Sequence, residues 1–103
     1  GYRGASSATG DQGASSATGD QGASSATGYR GASSATGRAC VALAAGKDSR
    51  GMVGEGSLLV LVERDDHGAI VRHFAAMCGT KGVVAGRWYT LRGGELVDVT
   101  EEA

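Results

Sequence analysis

The chain has 103 residues, with 19 glycines, no proline, one tryptophan, three tyrosines and one phenylalanine. This length allows one compact domain or two very small ones, and a net charge of −1 gives no global attraction to nucleic acid or an acidic membrane. No apolar run is long enough to span a membrane, and no signal peptide is visible. Because the chain begins on a repeat boundary without Met, we expect it to be a piece of a longer protein.

The first part of the chain is a nine-residue repeat. Residues 1–9 and 28–36 read GYRGASSAT, residues 10–18 and 19–27 read GDQGASSAT, and degenerate copies follow at 37–45 (GRACVALAA) and 46–54 (GKDSRGMVG). A disordered or silk-like tract is the alternative, but a linker needs no strict period. Nine residues span only about 30 Å, so each copy is predicted to form half a coil of about 18 residues. Each coil would then carry two short parallel strands on opposite faces.

The fifth copy predicts which side chains face the interior. Aligned on the ASSA segment of the other copies, it puts Val41 at the first Ala and Leu43 at the second Ser, in alternation with alanines. Large aliphatic side chains favour the interior. We therefore expect the first Ala and second Ser of every ASSA segment to point inward and the other two residues to point outward. The repeat glycines are expected to permit the turns.

The second part of the chain predicts two β-hairpins. Their strand candidates are residues 57–64 (SLLVLVER), 69–77 (AIVRHFAAM), 88–91 (WYTL) and 95–99 (ELVDV). The segments between the paired strands are the polar DDHG and a Gly-Gly dipeptide, both of which are turn signals. The first strand is apolar on both faces, so it is either central in a sheet or shared with another subunit. Leu59 and Leu61 on this strand are the candidate oligomer interface.

These patterns together predict an all-β chain. Residues 1–56 are expected to form a short parallel β-solenoid of nine-residue half-coils, and residues 57–103 a small antiparallel β-hairpin cap. The repeat has no large apolar side chain to bury, and the cap is near the size at which one core is marginal. We therefore expect a homo-oligomer, a dimer or a trimer, that assembles through the cap.

Two family resemblances support this architecture. Residues 35–51, ATGRACVALAAGKDSRG, resemble the head repeats of YadA-type trimeric adhesins. The chain as a whole resembles a family of bacterial and phage-associated proteins with SAAT-G nonapeptide tracts, an LxxLVLxER strand and a final WYTLxxGxLV hairpin. The matching pieces are residues 32–37, 40–43, 57–64 and 88–97. The resemblance implies the repeat and cap architecture and no particular activity.

The sequence offers little support for a metal site. A calcium-binding nonapeptide of the RTX type needs GGxGxDxUx, whereas the four regular copies, residues 1–36, carry acidic residues only at Asp11 and Asp20. Neither C-x-x-C nor H-x-x-x-H spacing occurs. We therefore expect no metal and no cofactor. Cys40 and Cys78 are interpreted as small buried hydrophobic residues, with a disulfide between them as an alternative.

Two groups of polar residues lie close together in the sequence and have side chains that could act in catalysis. Asp65, Asp66 and His67 are consecutive, but a polar hairpin turn explains them better. His73 and Cys78 suggest a thiol nucleophile, yet no orienting third group or oxyanion donor can be placed. We therefore expect that the chain is not an enzyme.

The remaining candidates are surface features. Tyr2, Arg3, Tyr29 and Arg30 mix aromatic and cationic groups, as partner-binding edges do. The threonine at the end of each repeat would form regular rows, or ranks, on the surface of a solenoid. Such rows could be an ice-binding face, or each threonine could simply close its turn with its hydroxyl group. The sequence therefore favours a non-catalytic structural or interaction module that self-associates. The alternative is a surface protein that binds ice or a glycan through the regular repeat face.

Overall fold

The structure, a computed structural model, describes residues 5–8, 13–17 and 22–102. These residues form an all-β fold of two sheets, and a 3-10 turn at Thr100–Glu102 ends it. The strands are β1 Ala5–Ala8, β2 Ala14–Ala17, β3 Ala23–Ala26, β4 Ala32–Ala35, β5 Val41–Ala44, β6 Arg50–Val53, β7 Leu58–Arg64, β8 Ile70–Met77, β9 Tyr89–Arg92 and β10 Glu95–Asp98. Within the described segments, no helix is long and apolar enough to cross a membrane.

The repeat strands alternate between the two sheets. Sheet A has the order β1-β3-β5-β7-β8, and sheet B has the order β10-β9-β6-β4-β2. The repeat strands pair in parallel with an offset of 18 residues, as in Ala14↔Ala32 and Ala23↔Val41. This is the spacing predicted from a nine-residue half-coil. Both sheets are nevertheless mixed, because β8 and β9 join them antiparallel to β7 and β6.

The turns between repeat strands differ from the expectation in one respect. A left-handed backbone conformation falls on Arg30, Ala39 and Asp48, with φ of 56°, 54° and 56°, and not on the first glycine of these repeats. Those glycines allow the stacked turns to approach each other closely. A Cβ added to Gly46 would lie 2.1 Å from the carbonyl oxygen of Gly28 in the turn below. Gly46 is therefore needed for space and not for a positive φ.

The interior face of the repeat strands is the reverse of the one predicted. In β3 and β4 the first Ser and the second Ala point inward: Ser24 and Ser33 are buried, and so are Ala26 and Ala35. Val41 and Leu43 lie on the outer side of sheet A and stay partly exposed, whereas the alanines beside them are buried. The alternation is therefore correct and its phase is wrong.

Serine hydroxyls explain why large side chains are excluded from this interior. Ser15, Ser24 and Ser33, which we call the serine column, lie nine residues apart and come alternately from the two sheets. The Oγ atoms of Ser15 and Ser24 are 2.6 Å apart, and Ser33 Oγ lies 2.8 Å from Ser24 Oγ and 2.9 Å from the Ser24 carbonyl oxygen. Hydrogen bonds of this length require the two sheets to be close, which leaves no room for an inward valine or leucine.

The interior becomes larger and more apolar towards the cap. Above the serine column, the inward positions pass through Ala42 to Leu59, which register in parallel in sheet A. Sheet B accommodates the larger leucine with a glycine, because a Cβ added to Gly51 would lie only 2.6 Å from Leu59 Cδ1. The buried cluster then continues through Leu61, Val83, Tyr89 and Leu91. One core thus connects the repeat strands β4, β5 and β6 with the two hairpins.

The two predicted hairpins are present. β7 pairs in parallel with β5 and antiparallel with β8, so it is central in sheet A, while β9 and β10 form the second hairpin. The carboxylate of Glu63 accepts hydrogen bonds from the backbone N–H groups of Gly93 and Gly94, both at 2.9 Å. This contact joins the strand of one hairpin to the turn of the other.

Candidate functional site

An apolar surface covers the outer side of sheet A around β7. Six side chains on three adjacent strands form this surface, which we call the apolar face: Val41, Leu43, Leu58, Val60, Val62 and Met77. The strand register places them in rows, with Val41 beside Leu58 and Leu58 beside Met77. Met77 is 45% exposed, and the others are partly buried. All six lie on the side of sheet A that faces away from the buried core.

The predicted interface residues lie on the opposite side of β7. Leu59 and Leu61 are 0% and 1% exposed and belong to the chain's own core. Because side chains alternate across a strand, the residues of β7 that face outward are Leu58, Val60 and Val62. Leu59 and Leu61 therefore cannot form a surface without a rearrangement of the core, and the apolar side chains that β7 presents outward are these three neighbours. The apolar character of both faces, which motivated the assignment, is real.

A second feature is a groove at the start of β6, with a volume of about 510 Å³. Its lining combines three arginines with one carboxylate and two neutral side chains: Arg30, Arg50, Arg92, Asp48, Thr90 and Val99. Several elements contribute, because Arg30 and Asp48 come from the turns before β4 and β6, and Arg92 ends β9. We call this the arginine groove. It lies on sheet B, away from the apolar face.

Arg50 is held in an unusual environment within the arginine groove. Its guanidinium carbon lies 5.3 Å from the centroid of the Trp88 ring, a cation–π distance. Its Nε atom is buried and has no hydrogen-bond partner among the described residues. A buried donor without an acceptor costs about 1–3 kcal/mol, and more when the group is charged. The missing acceptor at Nε therefore offsets part of the stability that the contact with Trp88 provides.

The predicted partner-binding residues are only partly described. Tyr2 and Arg3 lie outside the described residues. Tyr29 is 42% exposed, and the guanidinium carbon of Arg30 lies 5.3 Å from its ring centroid. Arg30 also lines the arginine groove, so one predicted residue belongs to a real concave feature. Sequence reasoning missed Arg50 and Arg92, because only the pairing of β6 with β9 brings the second hairpin beside the repeat.

The acidic cluster at the first hairpin is a structural turn, as the sequence predicted. Asp65 Oδ1 accepts hydrogen bonds from the backbone N–H groups of His67 and Ala69, at 2.8 and 3.0 Å. Asp66 forms an ion pair of 2.7 Å with Lys47, whose ammonium group lowers the pKa of the Asp66 carboxyl. These contacts hold the hairpin against a repeat turn.

The cysteines and histidines do not form a common site. Cys40 is buried and Cys78 half-buried, and neither forms a disulfide bond. Burial, with a smaller effect of Glu55, raises the pKa of Cys78 and so disfavours the thiolate. His73 lies five residues earlier, about 16 Å along an extended chain. Among residues 5–8, 13–17 and 22–102, no group of three or more histidine, cysteine, aspartate or glutamate side chains could hold a metal ion.

The threonine ranks end within the described repeats. Thr27 and Thr36 are exposed, but one coil later their positions are taken by Ala45 and Gly54. Thr9 and Thr18 lie outside the described residues. On the side of the cap, each row of threonines therefore ends at Thr27 or Thr36.

The chain was compared with protein-family models, with curated proteins and with solved structures, and none of them matches it. The two surfaces are therefore interpreted from their own geometry.

Proposed function

We propose that this chain is a non-catalytic structural module, a short β-solenoid with a β cap, that self-associates through the apolar face. The observation that carries the proposal is the set of outward aliphatic side chains on β5, β7 and β8. These side chains are contiguous, and they are partly or, at Met77, largely accessible to solvent, which is the kind of surface that a partner sheet could cover.

The solenoid part of the proposal rests on the strand register. Paired repeat strands are offset by 18 residues, and consecutive strands fall in opposite sheets, so the chain advances by one coil for every two repeats. β7 continues this ladder with an offset of 17 residues, from Val41 to Leu58. In this interpretation the cap is the end of the coil stack, and the hairpins supply the antiparallel strands.

The size of the apolar face indicates how much of sheet A must take part. Three strands about 4.8 Å apart, with rows about 6.6 Å apart, give a patch on the order of 250 Å². A standard interface buries about 800 Å² on each partner. The contact must therefore extend over the alanine and serine side chains on the outer side of β3. Two copies related by a twofold axis could pack these sheets face to face at about 10 Å.

A pair of aspartate substitutions tests this function. Val60 lies on the central strand of the apolar face, and Ser34 occupies an outward position on β4 of sheet B. We expect Val60→Asp to weaken self-association at least tenfold in sedimentation equilibrium, because it places a charge in an apolar contact. Ser34→Asp adds the same charge to the other sheet and should leave association unchanged. Circular dichroism checks that both variants fold.

Two results would overturn the proposal. One is a folded Val60→Asp variant that associates as tightly as the wild type. The other is equal weakening by Val60→Asp and Ser34→Asp, since net charge and not the apolar face would then explain the effect.

A further inference from the structure

We propose that the arginine groove binds an oxyanion, namely a phosphate, sulfate or carboxylate group of a small ligand. The guanidinium groups of Arg30, Arg50 and Arg92 are the side chains that would bind it. This site lies on sheet B and is independent of the apolar face.

The charge of the lining favours an anion. Three arginines and one aspartate line the groove, in a chain whose formal net charge is −1. Positive charge is thus concentrated in a concave site, where it is more effective than on a convex surface. Guanidinium groups also match the geometry of oxyanions, because each can donate two parallel hydrogen bonds.

Three other arginines of the chain have structural partners within the fold. Arg72 pairs with Glu63, and Arg87 pairs with Asp98. Arg64 donates to the carbonyl oxygens of Ala45 and Gly68. Among the described residues, by contrast, neither Arg30 nor Arg50 forms an ion pair with a carboxylate.

The packing of Arg50 adds an observation independent of charge. Its Nε is buried without an acceptor among the described residues, and its guanidinium carbon lies 5.3 Å from the centroid of the Trp88 ring. This contact with the indole restricts the side chain before a ligand arrives, so less conformational entropy is lost on binding. A buried polar atom without a hydrogen-bond partner destabilises the fold, and such atoms are found more often at binding sites than at purely structural positions.

The size and polarity of the groove limit the ligand. A volume of about 510 Å³ lies within the range of small-molecule sites. Five of the six lining residues are polar or charged, so an apolar ligand would leave their polar groups unpaired. An anion with one or two oxyanion groups fits this composition.

The chain contains its own reporter for this site. Trp88 is the single tryptophan, and it contacts Arg50. We would titrate the intact chain with sodium phosphate, sodium sulfate and sodium citrate at constant ionic strength. Indole fluorescence and the ¹⁵N–¹H signal of Arg50 Nε would be followed together. We expect saturable changes, and the order of the three anions separates a tetrahedral from a planar carboxylate ligand.

Three variants make the test specific. Arg50→Met keeps an apolar side chain against Trp88 but removes the donors, and it should weaken binding at least tenfold while leaving the melting temperature equal or higher. Arg50→Lys keeps the charge and loses the planar fork, so it should also bind more weakly. Arg38→Met removes the same charge from an exposed turn that leads into sheet A, and it should bind like the wild type.

The proposal is overturned if the signals respond to none of the three anions, or equally to chloride. It is also overturned if Arg50→Met and Arg38→Met weaken binding by the same factor, which would indicate screening by net charge. A much lower melting temperature of Arg50→Met, with the anion affinity retained in the folded protein, would assign Arg50 to structure instead.

Discussion

Ser33 and Ser34 are adjacent and chemically identical, yet the structure assigns them opposite roles. Ser33 is 0% exposed and hydrogen-bonded to Ser24, whereas Ser34 points outward from β4. We predict that Ser33→Asp unfolds the repeat region and that Ser34→Asp has almost no effect. The two variants have the same composition and net charge, so any difference between them reports only which face is inside.

The expected difference in stability is large. A fully buried carboxyl group has its pKa raised by about 3–5 units, to about 7 or above, so keeping it neutral at pH 7 costs about 4 kcal/mol relative to an unfolded-state pKa of about 3.9. The Ser33→Asp change also removes the hydrogen bonds to Ser24. Such a sum approaches the whole stability of a typical domain, about 5–15 kcal/mol. An exposed substitution such as Ser34→Asp costs less than about 0.5 kcal/mol.

Urea denaturation followed by circular dichroism would measure this difference. At pH 7, Ser33→Asp should be unfolded or far less stable than Ser34→Asp. The gap should narrow near pH 4, because an aspartate with a raised folded-state pKa destabilises the fold only as the pH rises through its unfolded value, about 3.9. If Ser34→Asp were the more damaging variant, the inward face assigned to the repeat would be wrong.

The remaining predictions concern packing and pH. Gly51→Ala should destabilise the chain by about 1–3 kcal/mol, because the added methyl group meets Leu59, and Leu59→Val should recover part of that loss in a double-mutant cycle of melting curves. Equal effects of Gly51→Ala with and without Leu59→Val would contradict this contact. The Asp98 carboxyl accepts hydrogen bonds from Thr100, with a further contribution from Arg87, and these lower its pKa to about 2. The ionised Asp98 carboxylate therefore stabilises the fold above about pH 4, and this stabilisation is lost as the pH falls through 2. In the Asp98→Asn variant, the free energy of unfolding should fall less steeply between pH 4 and pH 2 than in the wild type. An unchanged slope would contradict the lowered pKa of Asp98.

The sequence predicted the period of the fold better than its phase. Strict repetition specified the 18-residue register, and the two hairpins followed from their turn signals. The inward face was misassigned because Val41 and Leu43 were weighed alone. The sixth copy contained the contrary signal: Arg50 registers with Ala32, so a charged residue would have occupied the predicted interior. As a result, the second serine of each ASSA segment was expected inside, whereas Ser15, Ser24 and Ser33, which form the serine column, are first serines.

The candidate sites were harder to predict from the sequence than the strands. The apolar run on β7 was recognised, but its outward half could be identified only after the interior was known. The arginine groove depends on the antiparallel contact of Gly51 with Tyr89, and the nine-residue period of the repeat does not predict this contact. Only Arg30 was singled out beforehand, and for its neighbour Tyr29, not for the groove.

The solution mass of the intact chain tests the central claim most directly. One copy has a mass of 10.2 kDa. Light scattering after size exclusion at micromolar concentration should give two or three times this mass, because the apolar face needs a partner. A stable particle of one chain mass at that concentration would contradict self-association through sheet A.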